Sequence, residues 1–407
     1  MSAEARPVRP AEDALPGGDR NVVTLGWVAF FGGLAQDMIQ PILPLFYTQV
    51  LGLNGTFVGL IEGALATTVS LFKVGAGYLS DLVRVRKPIV FAGYALSAAG
   101  RFALGFASSG IAVLGLRLAD GVGKGVKDAP RDALVAGSAR RASLGRAFGI
   151  QRMLDTLGSV AGPLVTWWLL RAWVSEPHRF QRVFWTAGLV AAIPLLLILF
   201  FVKERNPAVA GRTISRFDIP KPFFRFLALS ALFTLGNSSD AFLILRARSV
   251  GLAADLIPVA YALMNLTSAV AAVPLGVLAD RVGRRRMVVC GWTVYSLVYF
   301  GFALAPGPGA VWILYAVYGL FYALTEGSAK ALVAELVPDE SRGRAFGLYN
   351  TSVGVLALPA SLIAGVLWSQ VSASAPFFFG GAVALLSVAG LVAWSVAAAR
   401  RDGMAPS

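Results

Sequence analysis

The chain has 407 residues, 57% of them hydrophobic and 14% charged, with a mean hydropathy of +0.69. A water-soluble protein of this size needs far more charge to cover its surface, so lipid is the solvent for most of the chain. The net charge of +14 does not read as nucleic-acid binding, because the basic residues sit between apolar runs and form no basic tail. Cys290 is the only cysteine and His178 the only histidine. Disulfides, thiolate metal sites, zinc chemistry and Ser/His/Asp hydrolysis are therefore excluded, and neither an enzyme nor a cofactor is expected.

Residues 1–22 are polar, with Pro7, Pro10, Pro16, Gly17 and Gly18, and lack the basic-then-apolar order of a cleavable signal. They read as a disordered cytoplasmic arm. A hydrocarbon core of ~30 Å takes about 20 apolar residues per helix. Twelve such runs follow, over 23–48, 55–80, 88–107, 110–137, 145–171, 181–202, 225–246, 254–279, 287–305, 310–334, 344–369 and 376–398. The fold class is an all-α membrane protein. A six-helix bundle spans 23–202, a charged linker 203–224, a second bundle 225–398 and a short tail 399–407.

An even number of spans puts both termini on one side, and the basic residues say which. Loops on the terminus side carry Arg84, Arg86, Lys87, Arg140, Arg141, Arg146, Arg281, Arg284, Arg285, Arg286, Arg342 and Arg344. The opposite loops hold little beyond Arg171, Arg179, Arg182, Arg246 and Arg248. By the positive-inside rule both termini and the linker face the cytoplasm. The two halves are also related in sequence. Gly77-Tyr-Leu-Ser-Asp81 returns as Gly276-Val-Leu-Ala-Asp280, and Gly145-Arg-Ala-Phe-Gly149 as Gly343-Arg-Ala-Phe-Gly347. A shared offset marks a duplication. Two parallel repeats place a substrate site at the midplane between them.

The segment Gly276-x-x-x-Asp280-Arg281-x-Gly283-Arg284-Arg285-Arg286, between the eighth and ninth runs, resembles the loop signature of the major facilitator superfamily. The first copy keeps Gly77, Asp81 and Arg84 but lacks the basic residue after the aspartate and the second glycine. Glycine lets the backbone reverse at the membrane surface, the aspartate can cap a neighbouring helix, and the arginines can bind carboxylates or lipid phosphates. These residues are the candidate gate. Arg117-Leu-Ala-Asp120-Gly121-Val-Gly123 is similar to a further element of that family, as are Gly149, Gly158, Gly162 and Pro163, with Thr166 and Trp167 where closing glycines are expected. Gly121 and Gly125 form a small-xxx-small pair suited to close helix packing. The resemblance implies alternating access by two rocking bundles, driven by an ion gradient, usually of protons.

Intramembrane charges are the candidate substrate and coupling residues, since each costs several kcal/mol at membrane depth unless paired or wetted. The fourth run carries Arg117, Asp120, Lys124, Lys127 and Arg131 on one face. Arg117 and Asp120 are expected to line the cavity, and Lys127 and Arg131 to snorkel. Arg152 and Asp155, one turn apart, are expected to pair. Asp37 and Gln40 precede Pro41 and Pro44, and Asn237 and Asp240 follow Gly236, so corresponding spans each offer a carboxylate beside a helix break. Glu62 and Arg101 sit in apolar surroundings, and Tyr322 and Glu326 are milder candidates in the second half. Asp37 and Glu62, with no basic neighbour in sequence, are the first candidates to exchange a proton. A structural ion pair competes with a transport role at each position.

These residues support a monomeric inner-membrane carrier with lipid, protons and a small solute as partners, exporting a small organic molecule or drug. Uptake of an anionic nutrient or metal chelate, and lipid handling or non-transporting sensing, are the alternatives.

Overall fold

The computed structural model describes residues 18–83, 85–139, 143–204 and 219–401, with side chains at all of these except 18–19, 78–83 and 398–401. The described residues are mostly helical and hold no strand. The first half holds α1 (Gly18–Ile39), the short α2 (Leu43–Leu45), α3 (Gly55–Val83), α4 (Lys87–Leu104), α5 (Gly110–Ser138), α6 (Leu144–Ala172) and α7 (Arg179–Phe200). The second holds α8 (Lys221–Gly236), α9 (Ala241–Ser249), α10 (Ile257–Val282), α11 (Arg284–Leu304), α12 (Pro308–Glu335), α13 (Arg342–Gln370) and α14 (Ala375–Arg401).

Two of the expected spans are broken where proline or glycine sits. The first stops at Ile39, before Pro41, and resumes through α2 and a π-helical turn, Phe46–Val50. The seventh stops at Gly236 and resumes as α9. With each broken pair counted as one span, the described chain crosses twelve times. Nine of these spans are long and apolar enough to cross a membrane by themselves. The others, α4, α5 and α6, carry charge along their length: Arg101, then the α5 series from Arg117 to Asp132, then Arg152 and Asp155. The outer surface is apolar, with Ile111, Leu189, Phe200 and Leu304 all more than 60% exposed. That pattern fits acyl chains and not water.

The boundaries differ from expectation by a few residues. α1 begins inside the expected arm and α8 inside the expected linker. Residues 1–17, 205–218 and 402–407, which include the rest of the arm, linker and tail, lie outside the described residues.

The halves meet along two unequal seams. On one flank α3 runs antiparallel to α13. Thr56 donates to the Gly365 carbonyl (3.3 Å), Thr67 to that of Gly354 (2.8 Å) and Ser70 to that of Asn350 (2.9 Å). Glycines make this approach possible. A Cβ on Gly59 would strike the Ser361 carbonyl, one on Gly63 would lie 2.8 Å from the Leu358 Cα, and one on Gly365 would strike the backbone of Gly55. The seam is closed from Thr56 to Ser70, about 21 Å of helix at 1.5 Å per residue. On the other flank α6 meets α10 only toward the end away from the termini. Asn265 donates to the Ser159 carbonyl (2.8 Å), and beyond that end Arg171 pairs with Asp255 (3.1 Å). Toward the termini, Met153 and Leu157 on α6 and Val270 and Val273 on α10 are exposed, and the two helices part.

Candidate functional site

Where α6 and α10 part, a cavity of about 1160 Å³ runs between the halves. α6, α10 and α12 line it, with Asp240 at its inner end. Gly149, Asp280, Arg284 and Lys330, all near the terminus-side ends of their helices, mark its mouth. The opposite end is plugged by fully buried side chains at the two helix breaks, including Ile42, Leu43 and Phe46 from one half and Phe242, Leu243 and Ile244 from the other. The cavity thus opens on the terminus side and is shut on the other.

Asp240 is positioned by the break in the seventh span. Four residues without regular structure separate α8 from α9 and leave Asp240 as the N-cap of α9. An aspartate there ordinarily accepts from the first free backbone N–H groups of its helix. This one makes no such bond; Ser239 Oγ accepts from the Ala241 N–H instead. The Asp240 carboxylate points to α12, where Tyr318 donates to Oδ1 and Tyr322 to Oδ2, both at 2.9 Å. Stacked rings back these tyrosines: Tyr295 lies 4.0 Å from Tyr299, and Tyr318 5.4 Å from Phe321, centroid to centroid.

The first half carries a different arrangement. Arg117 reaches Glu62 (3.2 Å) and Asp120 (3.3 Å), Lys124 reaches Asp120 (3.0 Å) and Arg101 approaches it at 3.5 Å. Tyr47 donates to Glu62 at 3.3 Å. All of these groups are buried. None lines the cavity, contrary to the expectation for Arg117 and Asp120. The physical reason is that the charged face of α5 turns toward α3 and α4, inside its own half, where opposite charges satisfy each other. Lys127 and Arg131 do not snorkel either. Lys127 pairs with Asp128 (3.0 Å) beneath the Tyr94 ring, and Arg131 with Asp132 (3.4 Å). Asp128 and Asp132 escaped the sequence reading because they sit beside the stripe, one residue past each base.

The pairing expected between Arg152 and Asp155 is replaced by a longer reach. Arg152 crosses the cavity to Glu326 on α12 (3.1 Å), which Lys330 also approaches (3.6 Å). Asp155 lines the cavity with no salt bridge among the described residues. Asp37 is buried at the end of α1, facing Ser159 of α6 and also without a salt bridge. Gln40 lies in the turn that follows, and Asn237 ends α8.

At the candidate gate, Gly283 has φ +98°, a left-handed conformation that suits glycine, and it makes the turn between α10 and α11. Arg284 holds Glu335 (2.7 Å) and Asp280 (3.5 Å), and the Asp280 side chain is 70% exposed. Glu335 is a partner the sequence did not signal. Gly276 lines the cavity; Arg281 is exposed in the last turn of α10. In the first copy Gly77 packs near Ala129, while the side chain of Asp81 and the whole of Arg84 lie outside the described residues. Of the packing glycines, Gly121 and Gly125 abut α3, and Gly158 and Gly162 abut the α1 backbone, with Pro163 buried beside them. Gly149 meets nothing within 4 Å and faces the cavity instead.

Two six-span halves around one cavity, open on one side and plugged on the other, define a membrane transporter. The chain belongs to the Major Facilitator Superfamily, whose family model matches residues 25–246 and again 226–406. It is 35% identical over 377 residues to an uncharacterized MFS-type transporter of Methanocaldococcus jannaschii, covering 90% of this chain and 93% of that one. It is 26% identical over 369 residues to a multi-drug resistance efflux pump homolog of Lactococcus lactis, covering 84% and 87%. Among solved structures, a nucleoside transporter aligns with a TM-score of 0.77 at 13% identity, over 91% of this chain and 99% of that one. A peptide transporter does so with a TM-score of 0.77 at 15% identity, over 94% and 95%. At those identities the likeness is one of fold.

Proposed function

We propose that this transporter exports a small organic molecule in exchange for protons, acting as a monomer in the cell's inner (plasma) membrane with both termini in the cytoplasm. One observation carries the reading. The cavity faces the basic, terminus side and holds Asp155 and Asp240, with Asp37 close behind, and none of the three has a salt-bridge partner among the described residues. A carboxylate with no cation fixed against it is free to carry a proton in one state and release it in the other. The similarity to an efflux pump homolog supports the outward direction. The gate residues fit the same cycle. With the cytoplasmic side open Asp280 is exposed, and on closure it is proposed to meet the N-terminal end of α6.

Inside-out vesicles with an acidified interior are expected to accumulate the solute. Asp37→Asn or Asp155→Asn, whichever removes the coupling group, is expected to reduce gradient-driven accumulation to background while sparing gradient-independent exchange. Full accumulation in both variants and in Asp240→Asn would sink proton coupling. Orientation has its own test. In a Cys290→Ala background, an impermeant thiol reagent added to intact cells is expected to label a cysteine at Ser374 and to miss one at Ser143; the reverse pattern inverts the topology.

A further inference from the structure

We infer that the inner end of the cavity is a binding site for an organic cation, built from the Asp240 carboxylate and the rings of Tyr261 and Tyr322. This rests on the transporter reading and names its substrate class.

Asp240 has been drawn away from the capping work its position offers, and each of its oxygens is held by a tyrosine hydroxyl at 2.9 Å. Those two donors orient the carboxylate without cancelling its charge. No lysine or arginine among the described residues forms a salt bridge with it. Asp155 and Asp37 share that lack of a salt bridge but not the pair of tyrosine donors, and the remaining acids nearby are paired. Glu326 has Arg152 and Lys330, Asp280 has Arg284, and Glu62 across the midplane has Arg117. A charge at membrane depth is costly unless something pairs it. Here the protein supplies orientation and leaves the counter-charge to whatever enters.

The surroundings narrow what that is. A bare metal ion needs several oxygen ligands at close range, and this corner offers one carboxylate. A cavity of about 1160 Å³ is far larger than any ion and suits a drug-sized body. Tyr261, Met264 and Tyr322 line it next to Asp240, and a tyrosine face attracts a cation electrostatically. An anion would meet Asp240 and Asp155 together, while the lining cations are already held, Arg152 and Lys330 by Glu326 and Arg284 by Glu335. The occupant is therefore a monovalent organic cation with an apolar body.

Tetraphenylphosphonium and tetraphenylborate have nearly the same shape and opposite charge, so they isolate the sign of the charge. With full-length protein purified in detergent, labelled tetraphenylphosphonium is expected to bind saturably and to be displaced by ethidium, whereas labelled tetraphenylborate, assayed separately, is expected not to bind saturably. Asp240→Asn is expected to weaken binding at least about thirtyfold, the loss typical when one member of a desolvated charge pair is removed. Asp240→Glu is expected to retain part of the affinity. Tyr322→Phe, which leaves the charge but frees one oxygen, is expected to weaken binding several-fold and guards against a misfolded aspartate variant. The site is overturned if neither cation binds saturably, if the borate on its own binds equally, or if Asp240→Asn binds as the wild type does. Solute accumulation in vesicles without cation binding would leave the transporter standing and the cation site refuted. Cation binding without any driven movement would do the reverse.

Discussion

Arg117→Ala is expected to destabilise the protein by about 3–5 kcal/mol, the usual cost of breaking a buried ion pair by removing one partner. Arg117 is fully buried between Glu62 and Asp120. Asp120 would keep Lys124 at 3.0 Å and Arg101 at 3.5 Å, so the loss falls on Glu62, which would retain only the Tyr47 hydroxyl. Unfolding in detergent, followed by heat or denaturant, should show a lower midpoint and a lower folded yield. The double variant Arg117→Met with Glu62→Gln removes both charges and is expected to recover much of the loss, because an apolar replacement for a buried pair is often neutral. A double variant no better than the single one would mean that the pair is needed for more than charge balance.

Gly59→Val is expected to abolish transport and lower stability by roughly 1–3 kcal/mol, as overpacking in a filled interface does. The new side chain would press on the Ser361 carbonyl of α13, a backbone atom that cannot swing aside. Gly365→Val, on the facing helix, should behave alike. Gly149→Ala is the internal control, because nothing lies within 4 Å of a Cβ there. It is expected to raise stability by about 0.4–1 kcal/mol through the unfolded chain. Unfolding midpoints paired with vesicle transport separate the cases, and a fully active Gly59→Val protein would show that the α3–α13 seam can open.

The residue order reveals the spans, the breaks and the duplication because lipid imposes hard lengths and proline and glycine act locally. It does not reveal which way a charged face turns. Arg117 and Asp120 share a stripe with Lys124, yet whether that stripe meets the cavity or its own half depends on where α3 and α4 pack. The reach of Arg152 to Glu326 is likewise a fact of assembly, since the nearer Asp155 was the obvious partner in sequence. Asp240 was legible as a carboxylate beside a helix break. Its two tyrosines were legible only as residues a turn apart on another span, with nothing to join them to it.

The unequal seams carry one more consequence. A pair of halves joined along α3 and α13 and parted along α6 and α10 is a book held by its spine. Its open edge is bordered by the exposed apolar side chains of Met153, Leu157, Val270 and Val273, a surface that suits acyl chains. The membrane itself is then the third wall of the chamber. A solute that dissolves in that wall reaches Asp240 by partitioning sideways, at a concentration set by its solubility in the leaflet and not by its concentration in water. Its apparent affinity in a bilayer should exceed that in detergent in proportion to that partition, although no contact with the protein has changed.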